Sequence, residues 1–167
     1  MKNFEKKEIL TNTLLVKSRD VLSKKNIDGY LKYLLKNKYE GKCNNNGYIY
    51  PDSLDIVQRS IGKIVSIDRI SYIKYEVTYE IKSIIPCVGD VFKCIINSNT
   101  RMGVVGFLDY KDNTEIDKSP LLFIVPKEFL DENKNYKIGD TLEVKILDIR
   151  IKFMSDQMIV IAEEFNK

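Results

Sequence analysis

The sequence predicts an α+β unit, in which a helix packs on an antiparallel sheet, followed by an all-β, five-stranded barrel. Three observations carry that prediction. Ile27, Tyr30, Leu31, Leu34 and Leu35 recur at i, i+3, i+4, i+7 and i+8, the stripe of a helix with one buried face. Between Tyr72 and Lys82, Ile73, Tyr75, Val77, Tyr79 and Ile81 alternate with charged or polar residues, the period of a strand with one wet face. From Val88 onward the chain breaks into short apolar segments separated by glycine or polar turns.

The elements follow in order. Leu10, Leu14, Leu15 and Val16, set among threonines and an asparagine, read as an opening strand, with Ser18 as a helix cap after them. Gly29 weakens a helix interior by about 1 kcal/mol relative to alanine. The helix therefore starts at Ile27 or, capped by Asp28, slightly later, and ends near Asn37. Either start leaves Lys24, Lys25, Lys32, Lys36 and Lys38 wet. Tyr39 to Cys43 and Tyr48 to Tyr50 flank Asn44–Gly47, and Asn-Gly supplies the positive φ angles of a tight hairpin turn. Ser53 to Ser60 then reads as a loop. Pro86 ends the alternating strand because it lacks the amide proton a central strand donates, and a boundary between residues 1–86 and 87–167 is placed there. Beyond it the expected strands are Val88 to Asn97, Gly103 to Tyr110, Leu121 to Val125, Thr141 to Ile151 and Met158 to Ala162. Five such strands fit a small, partly open Greek-key barrel of the OB type, with Lys111 to Pro120 and Asp131 to Gly139 as surface loops.

Composition narrows the chemistry. The 167 residues are 44% hydrophobic and 31% charged, and no apolar run approaches the roughly 18 residues needed to cross a bilayer. A globular chain that does not span a membrane is expected. Histidine is absent, which excludes histidine-dependent triads, the neutral-pH proton shuttle and imidazole metal sites. Cys43, Cys87 and Cys94 show no C-x-x-C spacing and follow no hydrophobic leader, so a reduced, intracellular setting without a metal or cofactor is expected. Glu163 and Glu164, like Asp131 and Glu132, are adjacent and point apart, and no glycine-rich phosphate loop occurs; catalysis is not expected. The net charge of +3 hides a gradient: eleven Lys and Arg against five Asp and Glu in residues 1–50, and ten against thirteen in residues 101–167. A basic end and an acidic end imply different partners.

Two segments carry a family resemblance. Val88-Gly89-Asp90-Val91-Phe92 and Ile138-Gly139-Asp140-Thr141-Leu142-Glu143-Val144 each pair a Gly-Asp turn with an alternating strand. The second resembles the fourth-strand signature of the OB-fold RNA-binding domain first described in a ribosomal protein. With Tyr39-Glu40-Gly41-Lys42-Cys43 before the hairpin and Val77 to Pro86 closing the first half, residues 8–165 resemble the larger stalk subunit of multisubunit DNA-directed RNA polymerases, the seventh subunit of eukaryotic polymerase II and its archaeal counterpart. The resemblance implies a noncatalytic subunit of the transcription machinery. Its N-terminal tip domain (1–86) would dock on polymerase core subunits, and its OB-fold domain (87–167) would face nascent single-stranded RNA. It also implies a smaller stalk subunit packed near Val77 to Val91. The Lys, Asn and Ile bias is that of AT-rich codons and fits a large DNA virus encoding its own transcription machinery, or an AT-rich eukaryote. The expected location is then host cytoplasm and virion, or the nucleus.

On an OB barrel the binding surface is the strand 2 and 3 face with its bordering loops, which selects Lys93, Arg101, Phe107, Lys127 and Lys152 as RNA-binding candidates. Basic side chains would track phosphates and Phe107 would stack a base. For docking, Leu54, Ile56, Val57, Ile61 and Ile64 exceed what one short loop can bury, and Gly62 permits a close backbone approach. A free-standing OB-fold RNA-binding protein of translation or RNA decay, and a protein-interaction adaptor without RNA contact, are the alternatives.

Overall fold

A computed structural model describes residues 5–45, 47–109 and 115–165. Strand β1 (Glu5–Lys17) runs directly into a short helix, α1 (Ser18–Leu22). Ser18 does not cap it: its hydroxyl is hydrogen-bonded to that of Ser71 at 2.7 Å. Helix α2 (Ile27–Tyr39) is capped by Asn26, whose Oδ1 accepts the Gly29 amide at 2.9 Å. A Cβ on residue 29 would lie 2.9 Å from Asn26 Nδ2, so glycine spares the cap a small side-chain shift. The stripe read from the sequence is the buried one: Leu31 and Leu35 are fully enclosed, with Ile27, Tyr30 and Leu34 packed around them.

The core that receives α2 belongs to a sheet of β1, β2 (Cys43–Asn44), β3 (Gly47–Ile49), β4 (Asp55–Arg59), β5 (Lys63–Ile67) and β6 (Ile70–Ile84). β6 is the spine. β1 pairs with one of its edges, while β5, β4 and β3 pair along the other, and β2 extends from β3. The alternation from Tyr72 to Lys82 places Tyr75, Val77, Tyr79 and Ile81 in one apolar cluster with Leu14 and Val16 of β1 and with α2. Tyr39 and Tyr79 stack with ring centroids 6.2 Å apart. Asn12 serves both hydroxyls, donating to Tyr39 Oη at 3.0 Å and accepting from Tyr79 Oη at 2.9 Å.

Two expectations change here. Tyr39 to Cys43 is not a strand: α2 continues through Tyr39, and pairing begins only at Cys43, opposite Tyr48. Asn46 of the expected Asn-Gly turn lies outside the described residues. Nor is Ser53 to Ser60 a loop; it holds β4, because Glu40 fixes the chain just before it. The Glu40 carboxylate accepts the amides of Asp52 and Ser53 at 3.0 Å and of Leu54 at 2.8 Å. Three oriented donors on one carboxylate direct the following residues onto β6.

The second group of strands is β7 (Val91–Thr100), β8 (Gly103–Leu108), β9 (Leu121–Pro126), β10 (Thr141–Arg150) and β11 (Met158–Glu164). They close into a barrel in the order β10-β11-β9-β8-β7, with β9 and β11 parallel and the other pairs antiparallel, an OB-like arrangement. Tyr110 at the expected end of β8 and Lys111 to Thr114 of the expected insert lie outside the described residues. Alternate residues fill the barrel: Phe92, Cys94 and Ile96 from β7, Leu121, Phe123 and Val125 from β9, Leu142, Val144 and Ile146 from β10.

The Gly-Asp turns have a structural role. Gly89 and Gly139 sit at φ +89° and +90°, where residues with a side chain are strained. Asp90 accepts the Cys87 amide at 3.0 Å and Asp140 the Lys137 amide at 3.1 Å. Each turn is then tied to the opposite strand. Gly89 donates to Ile146 and Ile146 to Asp90, both at 2.9 Å, while Gly139 donates to Ile96 at 2.8 Å and Ile96 to Asp140 at 2.9 Å. This reciprocal lock sets the β7–β10 register that closes the barrel.

By contact the chain divides into two units. One holds the described residues up to Glu40 together with Ile49–Ser83; the other holds Gly41–Tyr48 with the described residues from Ile84 onward. The strand-bearing segment Gly41–Tyr48 thus groups with the barrel, where the Cys43 amide donates to Ser155 O and Met154 donates to Cys43 O, both at 2.8 Å. Among the described residues no helix is long and apolar enough to cross a membrane.

Candidate nucleic-acid interface and docking surface

One end of the barrel forms a cleft of about 270 Å³ lined by Asn99, Thr100, Tyr136, the cations Arg101, Lys127 and Lys134, and the carboxylates Asp131 and Glu132. The β7–β8 turn builds one wall. Thr100 Oγ1 donates to Gly103 O at 3.0 Å and accepts the Met102 amide at 3.3 Å. Gly103 is at φ +141°, and a Cβ there would fall 2.2 Å from Val125 O, so only glycine lets this turn lie against the end of β9. The Lys127 amide donates to Met102 O at 3.0 Å, which brings Lys127 beside Arg101. Neither cation is held in an ion pair among the described residues.

The opposite wall is the segment after β9, held by a buried carboxylate. Glu164 of β11 accepts from Tyr136 Oη at 2.5 Å, Lys134 Nζ at 2.6 Å and the Asp131 amide at 3.0 Å. Burial alone would raise the Glu164 pKa, but these three donors overcome it and hold the carboxyl below the usual carboxylate range. Burial, and then the bond to Glu164, push the Tyr136 hydroxyl up to about 12. Asn99 completes the wall by donating to Tyr136 O at 2.9 Å. With Lys134 committed to Glu164, Arg101 and Lys127 remain as the cations able to meet an anionic ligand.

Of the five RNA-binding candidates, the fold thus brings together Arg101 and Lys127. Lys93 lies on β7 opposite Glu143, with charged atoms 4.0 Å apart, and does not line the cleft. Lys152 is exposed in the β10–β11 connection, also away from the cleft. Phe107 requires a correction: it is only 4% exposed and cannot stack a base. β8 is buried at Gly103, Val104, Gly106, Phe107 and Leu108, the pattern of a strand covered on both faces. The unbroken apolar run from Val104 to Leu108 carried that signal. Sequence reasoning missed the contributions of Asn99, Lys134 and Tyr136 to the cleft and of Glu164 beneath it.

The docking candidates also separate. Leu54 is corrected from an exposed anchor to a core residue, 1% exposed, because the Glu40 anchor turns it inward at the start of β4. Ile56 is corrected likewise, packing partly buried against the same cluster. Val57 sits at a register shift between Ile56 and Gln58 and is exposed. Ile61 and Ile64 are 88% and 79% exposed. Gly62 does permit a close approach, but to its own chain: a Cβ there would lie 2.5 Å from Ile73 Cγ2 and 2.8 Å from the Tyr75 ring.

No protein-family model matches the chain, and no curated protein matches it. Fold and cleft together define an OB-like barrel protein with a separate sheet-and-helix unit.

Proposed function

We propose that this chain is a noncatalytic stalk subunit of a DNA-directed RNA polymerase. Its first unit is the tip domain, which docks on polymerase core subunits through the exposed residues Val57, Ile61 and Ile64. Its barrel guides nascent single-stranded RNA along the cleft at Arg101 and Lys127, whose cations track phosphates. The observation that carries the reading is the coupling, in one chain, of an OB-like barrel whose cleft presents Arg101 and Lys127 with a sheet unit that exposes Val57, Ile61 and Ile64. The order of these parts matches the family resemblance of residues 8–165.

The barrel's acidic balance, ten Lys and Arg against thirteen Asp and Glu in residues 101–167, argues for weak, local RNA contact, because nonspecific binding scales with phosphates neutralised. A tagged chain recovered from native extract in high salt tests the proposal by mass spectrometry. Stoichiometric recovery of the two largest polymerase subunits supports it. Recovery of translation or decay factors, or of RNA alone, replaces it with the free-standing RNA-binding protein.

A further inference from the structure

The cleft that presents Arg101 and Lys127 also presents Asp131 and Glu132. Carboxylates repel a polyanion, and phosphodiester oxygens, which only accept, offer them no hydrogen bond in return. Phosphate tracking therefore accounts for the cations of the cleft and leaves its carboxylates opposed to the ligand.

Their placement narrows what would satisfy them. Arg101 lies on the β7–β8 turn, and the bond from the Lys127 amide to Met102 O, at 3.0 Å, brings Lys127 beside it. Asp131 and Glu132 lie on the opposite wall, where the Glu164 carboxylate, 3% exposed, holds the backbone by accepting the Asp131 amide at 3.0 Å. Asp131 is partly engaged, since its Oδ1 accepts the Asn133 amide at 3.0 Å and Asn133 Nδ2 at 3.3 Å. Glu132 is exposed, and its carboxylate has no hydrogen bond or ion pair among the described residues. A held backbone thus sets one unused acceptor across the cleft from two unused cations.

A ligand that suits both walls carries an anion and a hydrogen-bond donor within one small unit. At about 270 Å³ the cleft lies just below the range of small-molecule sites, roughly 300–1,000 Å³, and has room for one such unit. A ribonucleotide meets both conditions whatever its base: the phosphate is the anion, and the ribose 2′-hydroxyl is the donor. A deoxyribonucleotide brings the same anion without that donor, so the repulsion from Glu132 has nothing to offset it.

We propose that the cleft selects ribose: Arg101 and Lys127 bind a phosphate while Glu132 accepts the hydrogen bond of the adjacent 2′-hydroxyl, so that single-stranded RNA is held in preference to single-stranded DNA. This rests on, and deepens, the RNA half of the function proposed above.

The test uses the full-length chain, its E132A and R101A variants, and fluorescein-labelled uridine oligomers built on ribose, deoxyribose or 2′-O-methylribose, which share base and charge and differ at the 2′ position. Affinities are read by fluorescence anisotropy at low salt. Both substituted side chains are exposed, so thermal melts are expected to match the unsubstituted chain. The ribose oligomer is expected to bind about tenfold more tightly than the other two. E132A is expected to bring the three within about twofold of one another, and R101A to weaken all three by a similar factor. A preference that is absent from the unsubstituted chain overturns ribose selection and leaves RNA binding standing. So does one that survives E132A while all three oligomers tighten together, because Glu132 then only repels. R101A without effect on any oligomer moves the binding out of the cleft and overturns the proposal. If no oligomer binds, ribose selection and the RNA half of the proposed function fall together.

Discussion

Glycine and cysteine positions show how far single residues decide the fold. Gly89 and Gly139 have open space around the missing Cβ, so substitution is limited by backbone strain at positive φ and not by collision. G89A and G139A are each expected to destabilise the protein by about 1 kcal/mol, read as a shift in urea midpoint without a change in slope. Gly103 differs, since a Cβ there meets Val125 O; G103A is expected to cost more and to open the cleft wall. The three free thiols separate by environment. Burial pushes Cys94 up to about 12 and raises Cys43, while Cys87 is exposed. Iodoacetamide at pH 8 is therefore expected to label Cys87 alone, as read by peptide mass mapping, with the other two reacting only in denaturant.

Whole elements depend on anchors that periodicity does not reveal. Glu40, which follows α2, holds three amides at the entry to β4, and E40A would leave those donors without their carboxylate. A loss of about 2–3 kcal/mol in urea unfolding is expected, with E40Q intermediate. The β5–β6 turn responds in the opposite direction. Replacing Asp68-Arg69 with Asn-Gly removes strain at two positive φ angles and is expected to stabilise the chain by about 1 kcal/mol. The same elements show what was legible. α2 and β6 follow from their 3.6 and 2.0 residue periods, because a single buried face imposes its repeat on the sequence. β4 does not, because Leu54 and Ile56 are separated from exposed Val57 by a register shift that breaks the alternation.

At the scale of the whole molecule, acid stability reflects Glu164. Its folded pKa lies below the unfolded carboxylate value of 4.5, so its contribution is present above that pH and is lost as pH falls through the lowered folded value. The melting temperature is expected to fall through this acid range in the unsubstituted chain. E164Q should be less stable at neutral pH and show a flatter acid limb; parallel curves for the two would remove Glu164 from the acid transition.

The sequence by itself determined the helix, the long strand, the five barrel strands and the absence of histidine chemistry, since these depend on local period, turn residues and composition. Tertiary structure alone decided which apolar and cationic residues face water. Leu54 and Phe107 are enclosed and Ile61 and Ile64 exposed, although all four are apolar residues of the same kind in the sequence. Arg101 and Lys127 meet because the Lys127 amide bonds to Met102 O, and the cleft stays open because Glu164 gathers Asp131, Lys134 and Tyr136. The physical reason is common to both cases: burial and proximity are set by contacts between residues distant in the chain, and no local repeat encodes them.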